Sequence, residues 1–153
     1  LQDAPAKDVR EGRNAAENIV PTSTGAAIAV TKTLPQLIGK FDGLSVRVPT
    51  PVVSISDITV LLERNATVED INNAFKKAAS EPYYQGILGV NDEPLVSRDF
   101  IGNSHSGVVD LSLTKVVDGN LAKIMVWYDN EWGYSNRLVE LVADVAKSLR
   151  RTA

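Results

Sequence analysis

Two runs rich in β-branched and apolar residues, Val108 to Val117 and Leu121 to Tyr128, flank the pair Asp118-Gly119. An Asp-Gly pair accepts the left-handed backbone of a tight hairpin turn, and between such runs it is the strongest short hairpin signal a sequence can carry. A chain that closes this hairpin has an antiparallel sheet to build on. Further strands are expected upstream. "LSVRVP" alternates Leu44, Val46 and Val48 with Ser45 and Arg47, which predicts a half-buried strand with Arg47 on its polar face. "VVSISDITVLLE" alternates in the same way, and "GILGV" reads as a short strand.

Helices stand apart from these strands. "TVEDINNAFKKAASE" opens with a capping-box pattern, Thr67 to Asp70, and sets Val68, Ile71, Phe75 and Ala78 on one helical face. Thr22, Ser23 and Thr24 are N-cap types ahead of the small-residue run "GAAIAVTKTL", which Pro35 ends or kinks. Near the end, Tyr134, Leu138, Leu141, Val142, Val145 and Leu149 recur at helical spacing, with Lys147, Arg150 and Arg151 where the helix dipole favours positive charge. The order of elements lacks a strict strand-helix-strand alternation. It predicts an α+β fold, a mixed, largely antiparallel sheet with helices packed on one face.

At 153 residues, 44% of them hydrophobic and 23% charged, and with no linker-like stretch, the chain reads as a single globular unit. It holds no apolar run of the roughly 18 to 20 residues that a membrane span needs, and its first residues lack the apolar core of a signal peptide. A cytoplasmic protein without a membrane partner is expected. The net charge of -3 argues against general nucleic-acid binding. The sequence contains no cysteine and one histidine, so disulfides, thiolate chemistry and a metal cluster have no ligands in it. No G-x-G-x-x-G follows a strand, and no P-loop or G-x-S-x-G elbow is present. His105, in "GNSHSG", has no acidic neighbour in sequence to orient it and reads as a surface residue.

Three features could hold an anion. The helix start at "TSTGAA" offers free backbone N–H groups, hydroxyls and a glycine that permits close approach, although a plain N-cap explains the same residues. Arg47 carries a guanidinium that can grip a phosphate with two parallel bonds if it points at the same place; as an isolated strand arginine it is ordinarily solvated charge. Arg10 and Arg13 in "DVREGR" would share a face if that segment is helical, and solvated charge is again the simpler account.

Four motifs in order, "NIVPTSTGAA", "SVRVPTPVVSISD", "LVSRDF" and "WYDNEWGYSNR", resemble the C-terminal catalytic domain of phosphorylating glyceraldehyde-3-phosphate dehydrogenases, and the likeness runs over essentially the whole chain. The resemblance implies oxidation of a triose-phosphate aldehyde in glycolysis, with hydride passing to a nicotinamide and inorganic phosphate releasing the acyl group. It assigns Thr24 and Gly25 to inorganic phosphate, Arg47 to phosphate contact from its strand, and Arg10 and Arg13 to the two arginines of an R-x-x-R stretch that meets substrate phosphate. Asn130 falls on the asparagine that contacts the nicotinamide carboxamide, and Tyr134 on the tyrosine beside the ring. A planar amide and an aromatic wall suit a flat ring that carries a carboxamide.

The same resemblance places the nucleophilic cysteine, in an S-C-T-T-N motif, and the histidine base upstream of Leu1, so no catalytic residue is assigned to residues 1–153. These residues are expected to form a partial catalytic domain from which the nucleotide-binding domain is absent, and on their own to be inactive. The expected cofactor is NAD, with NADP left open. The expected partners are glyceraldehyde 3-phosphate, inorganic phosphate, an N-terminal nucleotide-binding half and, at full length, copies of itself in a homotetramer. Two alternatives stand beside this reading: a non-catalytic assembly module derived from the family, and a dehydrogenase for erythrose 4-phosphate.

Overall fold

The computed structural model describes residues 6–150, and its contacts divide the chain at Pro51 into two compact units, Leu1–Pro51 and Val52–Ala153. The composition suggests one unit. The division follows from pairing, because each unit closes its own sheet.

The first unit is built on a two-stranded antiparallel ribbon, β1 (Val20–Thr22) with β2 (Ser45–Arg47), in which Val20 lies opposite Arg47 and Thr22 opposite Ser45. Between them runs α1 (Ala26–Thr33), and Leu34, the residue before Pro35, leaves the helical region at φ -123°, ψ 78°. Pro35 then opens a 3-10 turn, as the clash of a proline ring with the preceding residue requires. Two expectations are corrected here. Thr22 does not cap the helix; it is a buried strand residue, and Gly25 occupies the cap position. Nor is β2 half-buried in the expected way, since Leu44, Val46 and Val48 are all exposed: Val46 lies opposite exposed Pro21, on the face away from buried Val20 and Thr22, and Arg47 shares the buried side.

The second unit holds a four-stranded sheet in the order β3 (Ser54–Leu61), β6 (Leu121–Tyr128), β5 (Gly107–Val117), β4 (Leu88–Asn91). Two pairings are antiparallel and β4 with β5 is parallel, so the sheet is mixed and largely antiparallel, as the sequence pattern predicts. The hairpin forms, with Asp118 and Gly119 at φ 51° and 76°. Its loop is three residues long, because Val117 pairs with Leu121. The carbonyls of Gly119 and Asn120 accept from the amides of Ala66 and Leu62, which ties the loop to the chain leaving β3.

One face of the sheet buries Val109, Leu111, Ala122 and Ile124 beneath α2 (Val68–Ser80), whose Ile71 and Phe75 pack on them. Full burial of each large aliphatic side chain contributes about 1.5–3 kcal/mol. The start of α2 is the expected capping box: the Thr67 hydroxyl accepts from the Asp70 amide at 3.1 Å, and the Asp70 carboxylate accepts from the Thr67 amide at 2.9 Å. A second cluster, Val53, Phe100 and Val108, lies with Trp127, whose ring stacks on Phe100 at 5.3 Å and 13°. The last helix, α3 (Trp132–Arg150), is amphipathic as its spacing predicts, yet Leu138, Leu141, Val142 and Val145 are exposed and only Gly133 is buried. No described helix is long and apolar enough to cross a membrane.

Candidate functional site

The seven residues singled out in the sequence fall in both units: Arg10, Arg13, Thr24, Gly25 and Arg47 in the first, Asn130 and Tyr134 in the second.

In the first unit, the Thr24 hydroxyl accepts from the amide of Ala26 at 3.1 Å, so its own hydrogen stays available to an acceptor. The carbonyl of Gly25 accepts the first helical bond, from Ala29 at 3.0 Å. The amides of Gly25, Ala27 and Ile28 have no partner among the described residues, which leaves three donors at the positive end of the helix dipole. Arg47 projects from the face of the ribbon shared with Val20, and Val20 lies four residues before Thr24. Arg47 is exposed and makes no hydrogen bond or ion pair among the described residues. The Thr22 hydroxyl on the neighbouring strand is buried without a partner, an orphaned polar group of the kind that costs about 1–3 kcal/mol.

Arg10 and Arg13 do not lie on a helix. Their segment is a succession of turns, with Glu11 N–H bonded to the carbonyl of Asp8, and Arg13 N–H to that of Arg10. The Asp8 carboxylate accepts from the Arg10 amide at 2.9 Å, the side-chain-to-backbone bond by which aspartate competes against helix. Both guanidinium groups are left to solvent.

In the second unit, Asp129 organises the junction of β6 with α3. Its two oxygens accept from the amides of Gly102 and Trp132, each at 2.9 Å, and of Glu131 at 3.2 Å. The Gly102 amide, followed by that of Trp132, holds the Asp129 carboxyl below the ordinary carboxylate range, against the opposing effect of burial. Asp129 therefore serves the cap, as the sequence suggests, and also clamps the turn after Phe100. On the other side of that turn, a Cβ placed on Gly133 would lie 2.7 Å from the carbonyl oxygen of His105, so only glycine lets the helix approach there. His105 itself contacts Asn103 through its amide and through Nδ1, both at 2.9 Å, with no carboxylate bonded to its ring among the described residues.

Asn130 is exposed and Tyr134 is 67% exposed, which makes an amide and an aromatic ring accessible beside the first turn of α3. The aromatics of this stretch divide: Trp127 closes the core against Phe100, whereas Trp132 and Tyr134 do not. Asn130 is also held. Its Nδ2 donates to the hydroxyl of Ser54 at 2.8 Å. Sequence reading missed Ser54, because nothing local marks a serine at the start of a strand as the partner of a residue in the turn after another strand. It missed Val53 as well, a buried valine at φ 74°. A β-branched residue pays about 1–3 kcal/mol for left-handed backbone, and only firm packing keeps it there. A further bond gave no signal in the sequence: the Trp127 indole donates to the buried carboxylate of Asp110 at 3.0 Å.

Comparison with known proteins adds a family. Residues 1–130 match the family model described as glyceraldehyde 3-phosphate dehydrogenase, C-terminal domain. The chain is 58% identical over 149 residues to the glyceraldehyde-3-phosphate dehydrogenase of Mycobacterium avium, covering 97% of this chain and 43% of that protein. It is 51% identical over 149 residues to the protein of that name from Zymomonas mobilis, covering 97% and 44%, and 54% identical over 146 residues to that of Priestia megaterium, covering 95% and 43%. The chain thus spans less than half the length of the curated relatives it matches. With the family model matched over residues 1–130 and these relatives over nearly all of its length, the chain belongs to the glyceraldehyde 3-phosphate dehydrogenase family, in the part described as the C-terminal domain.

Proposed function

We propose that these 153 residues act as the larger part of the catalytic domain of a phosphorylating, NAD-dependent glyceraldehyde-3-phosphate dehydrogenase, and that the isolated chain is inactive. The observation that carries this reading is the helix start at Thr24 and Gly25, where unpartnered amides and a free hydroxyl hydrogen await an acceptor. Thr24 and Gly25 take inorganic phosphate. Arg47 supplies a guanidinium to phosphate, and Arg10 with Arg13 serve the phosphate of the substrate. In the second unit Asn130 meets the nicotinamide carboxamide and Tyr134 flanks the ring. Both groups are accessible, and the amide retains one Nδ2 hydrogen, which suits the carbonyl oxygen of a carboxamide.

The sequence contains no thiol, and in this reading the nucleophile and the base come from the part of the longer protein upstream of Leu1, where the resemblance puts the S-C-T-T-N cysteine and the histidine; full-length copies associate as a tetramer. The relatives carry the triose-phosphate name, which favours that aldehyde over erythrose 4-phosphate. Exposed apolar residues along α3 favour a covering surface in the longer protein, and they are also the one feature that a purely assembling module would share. The test separates the two readings. The chain is assayed with NAD, glyceraldehyde 3-phosphate and phosphate, alone and after recombination with its nucleotide-binding half. Activity only in the mixture is expected. Activity of the chain alone would refute the proposal, and a folded but inactive mixture would favour the assembly module.

A further inference from the structure

An exposed asparagine ordinarily samples several rotamers. Asn130 instead has a partner 76 residues away, and the Ser54 hydroxyl spans the edge of its amide, 2.8 Å from Nδ2 and 3.2 Å from Oδ1. The shorter contact fixes the roles: Oγ accepts one Nδ2 hydrogen. The other Nδ2 hydrogen points away from that edge and is left to face a ligand, one donor in the plane of the amide. The carbonyl oxygen of a carboxamide is a complementary acceptor.

The hydroxyl is itself placed by the fold. Ser54 is the first residue of β3 and lies opposite Tyr128, two residues before Asn130. The residue preceding it is Val53, whose backbone is left-handed at φ 74° and whose side chain is buried with Phe100 and Val108. An extended Val53 would bring the chain into β3 from another direction. The core accepts an unfavourable backbone at the one position that aims Ser54, and such outliers mark places where geometry is over-determined.

We propose that Ser54 is a positioning residue: its hydroxyl holds the Asn130 carboxamide in the plane in which it receives the nicotinamide carboxamide, and Val53 holds the hydroxyl. This rests on the reading of Asn130 given above. The test uses the full-length protein labelled with 15N-asparagine, with NAD as the probe. In Ser54→Ala the side-chain NH2 resonances of Asn130 are expected to move toward those of a free asparagine, and NAD affinity to fall about fivefold, the worth of one ordinary hydrogen bond. Ser54→Thr keeps the hydroxyl and should restore both. Unmoved resonances in Ser54→Ala would overturn the inference. So would moved resonances with unchanged NAD affinity, provided that Asn130→Ala weakens NAD. Unchanged affinity in Asn130→Ala would instead sink the nicotinamide reading, and this inference with it.

Discussion

The two units divide labour in a way their compositions conceal. Val52–Ala153 buries a sheet face under α2 and a second cluster around Phe100, and its accessible Asn130 is held by Ser54. Leu1–Pro51 buries Val20, Thr22 and Ala27 among its described residues, and it leaves the Arg47 guanidinium and the hydroxyl hydrogen of Thr24 without partners among them. Stability in the first case comes from removing apolar surface from water. In the second, donors are left unsatisfied, which is costly for folding and useful only to a ligand. The contrast teaches that candidate residues in different motifs can be left in opposite states, Asn130 with a hydrogen bond already made and Thr24 and Arg47 with donors withheld.

Phe100→Ala tests the contrast most strongly. It removes a ring that is 2% exposed and stacked on Trp127, and should destabilise the second unit by about 3–5 kcal/mol in urea unfolding. A loss under about 1 kcal/mol would mean that this cluster does not hold the unit together. A smaller effect is expected at Asp129. Its folded-state pKa is depressed, so its stabilisation is complete above the unfolded value of about 3.9 and is lost as pH falls through the folded one. Asp129→Asn should therefore lower stability by about 2 kcal/mol at pH 7, and the gap from the native chain should close below about pH 4. A gap that stays constant to pH 2 would show that charge is not what Asp129 contributes. The smallest effect on stability belongs to the first unit. Arg47→Ala should change the unfolding free energy by less than about 0.5 kcal/mol while weakening phosphate binding, measured by calorimetry on the full-length protein. A large stability loss would make Arg47 a structural residue and erase the distinction between the units.

Much of this was legible from residues alone wherever the decisive interactions are local. The capping box at Thr67 and Asp70, the alternation along β3 and the Asp-Gly turn each lie within a few residues, and each formed. The misses share a cause. Val20–Thr22 pairs with a strand more than twenty residues away and carries a proline, so its three residues gave no strand pattern. Ser54 with Asn130, and Phe100 with Trp127, join residues that only the sheet brings together. Of the candidate site, the residue types were readable from the resemblance. That Arg10 and Arg13 sit on turns rather than a helix was not, because their spacing suits both.

The three-residue loop closing the β5–β6 hairpin has a consequence in time. Its carbonyls hold the amides of Leu62 and Ala66, so the shortest-range pairing in the sheet also anchors the end of β3. Contacts close in sequence form before those that must first close a long loop. Assembly of the sheet is thus expected to begin at Asp118 and Gly119, to take in β4, whose Leu88 pairs with the nearby Gly107, and to add β3, whose Ser54 pairs with the distant Tyr128, last. In pulsed hydrogen exchange, protection of β4 ahead of β6 would contradict that order.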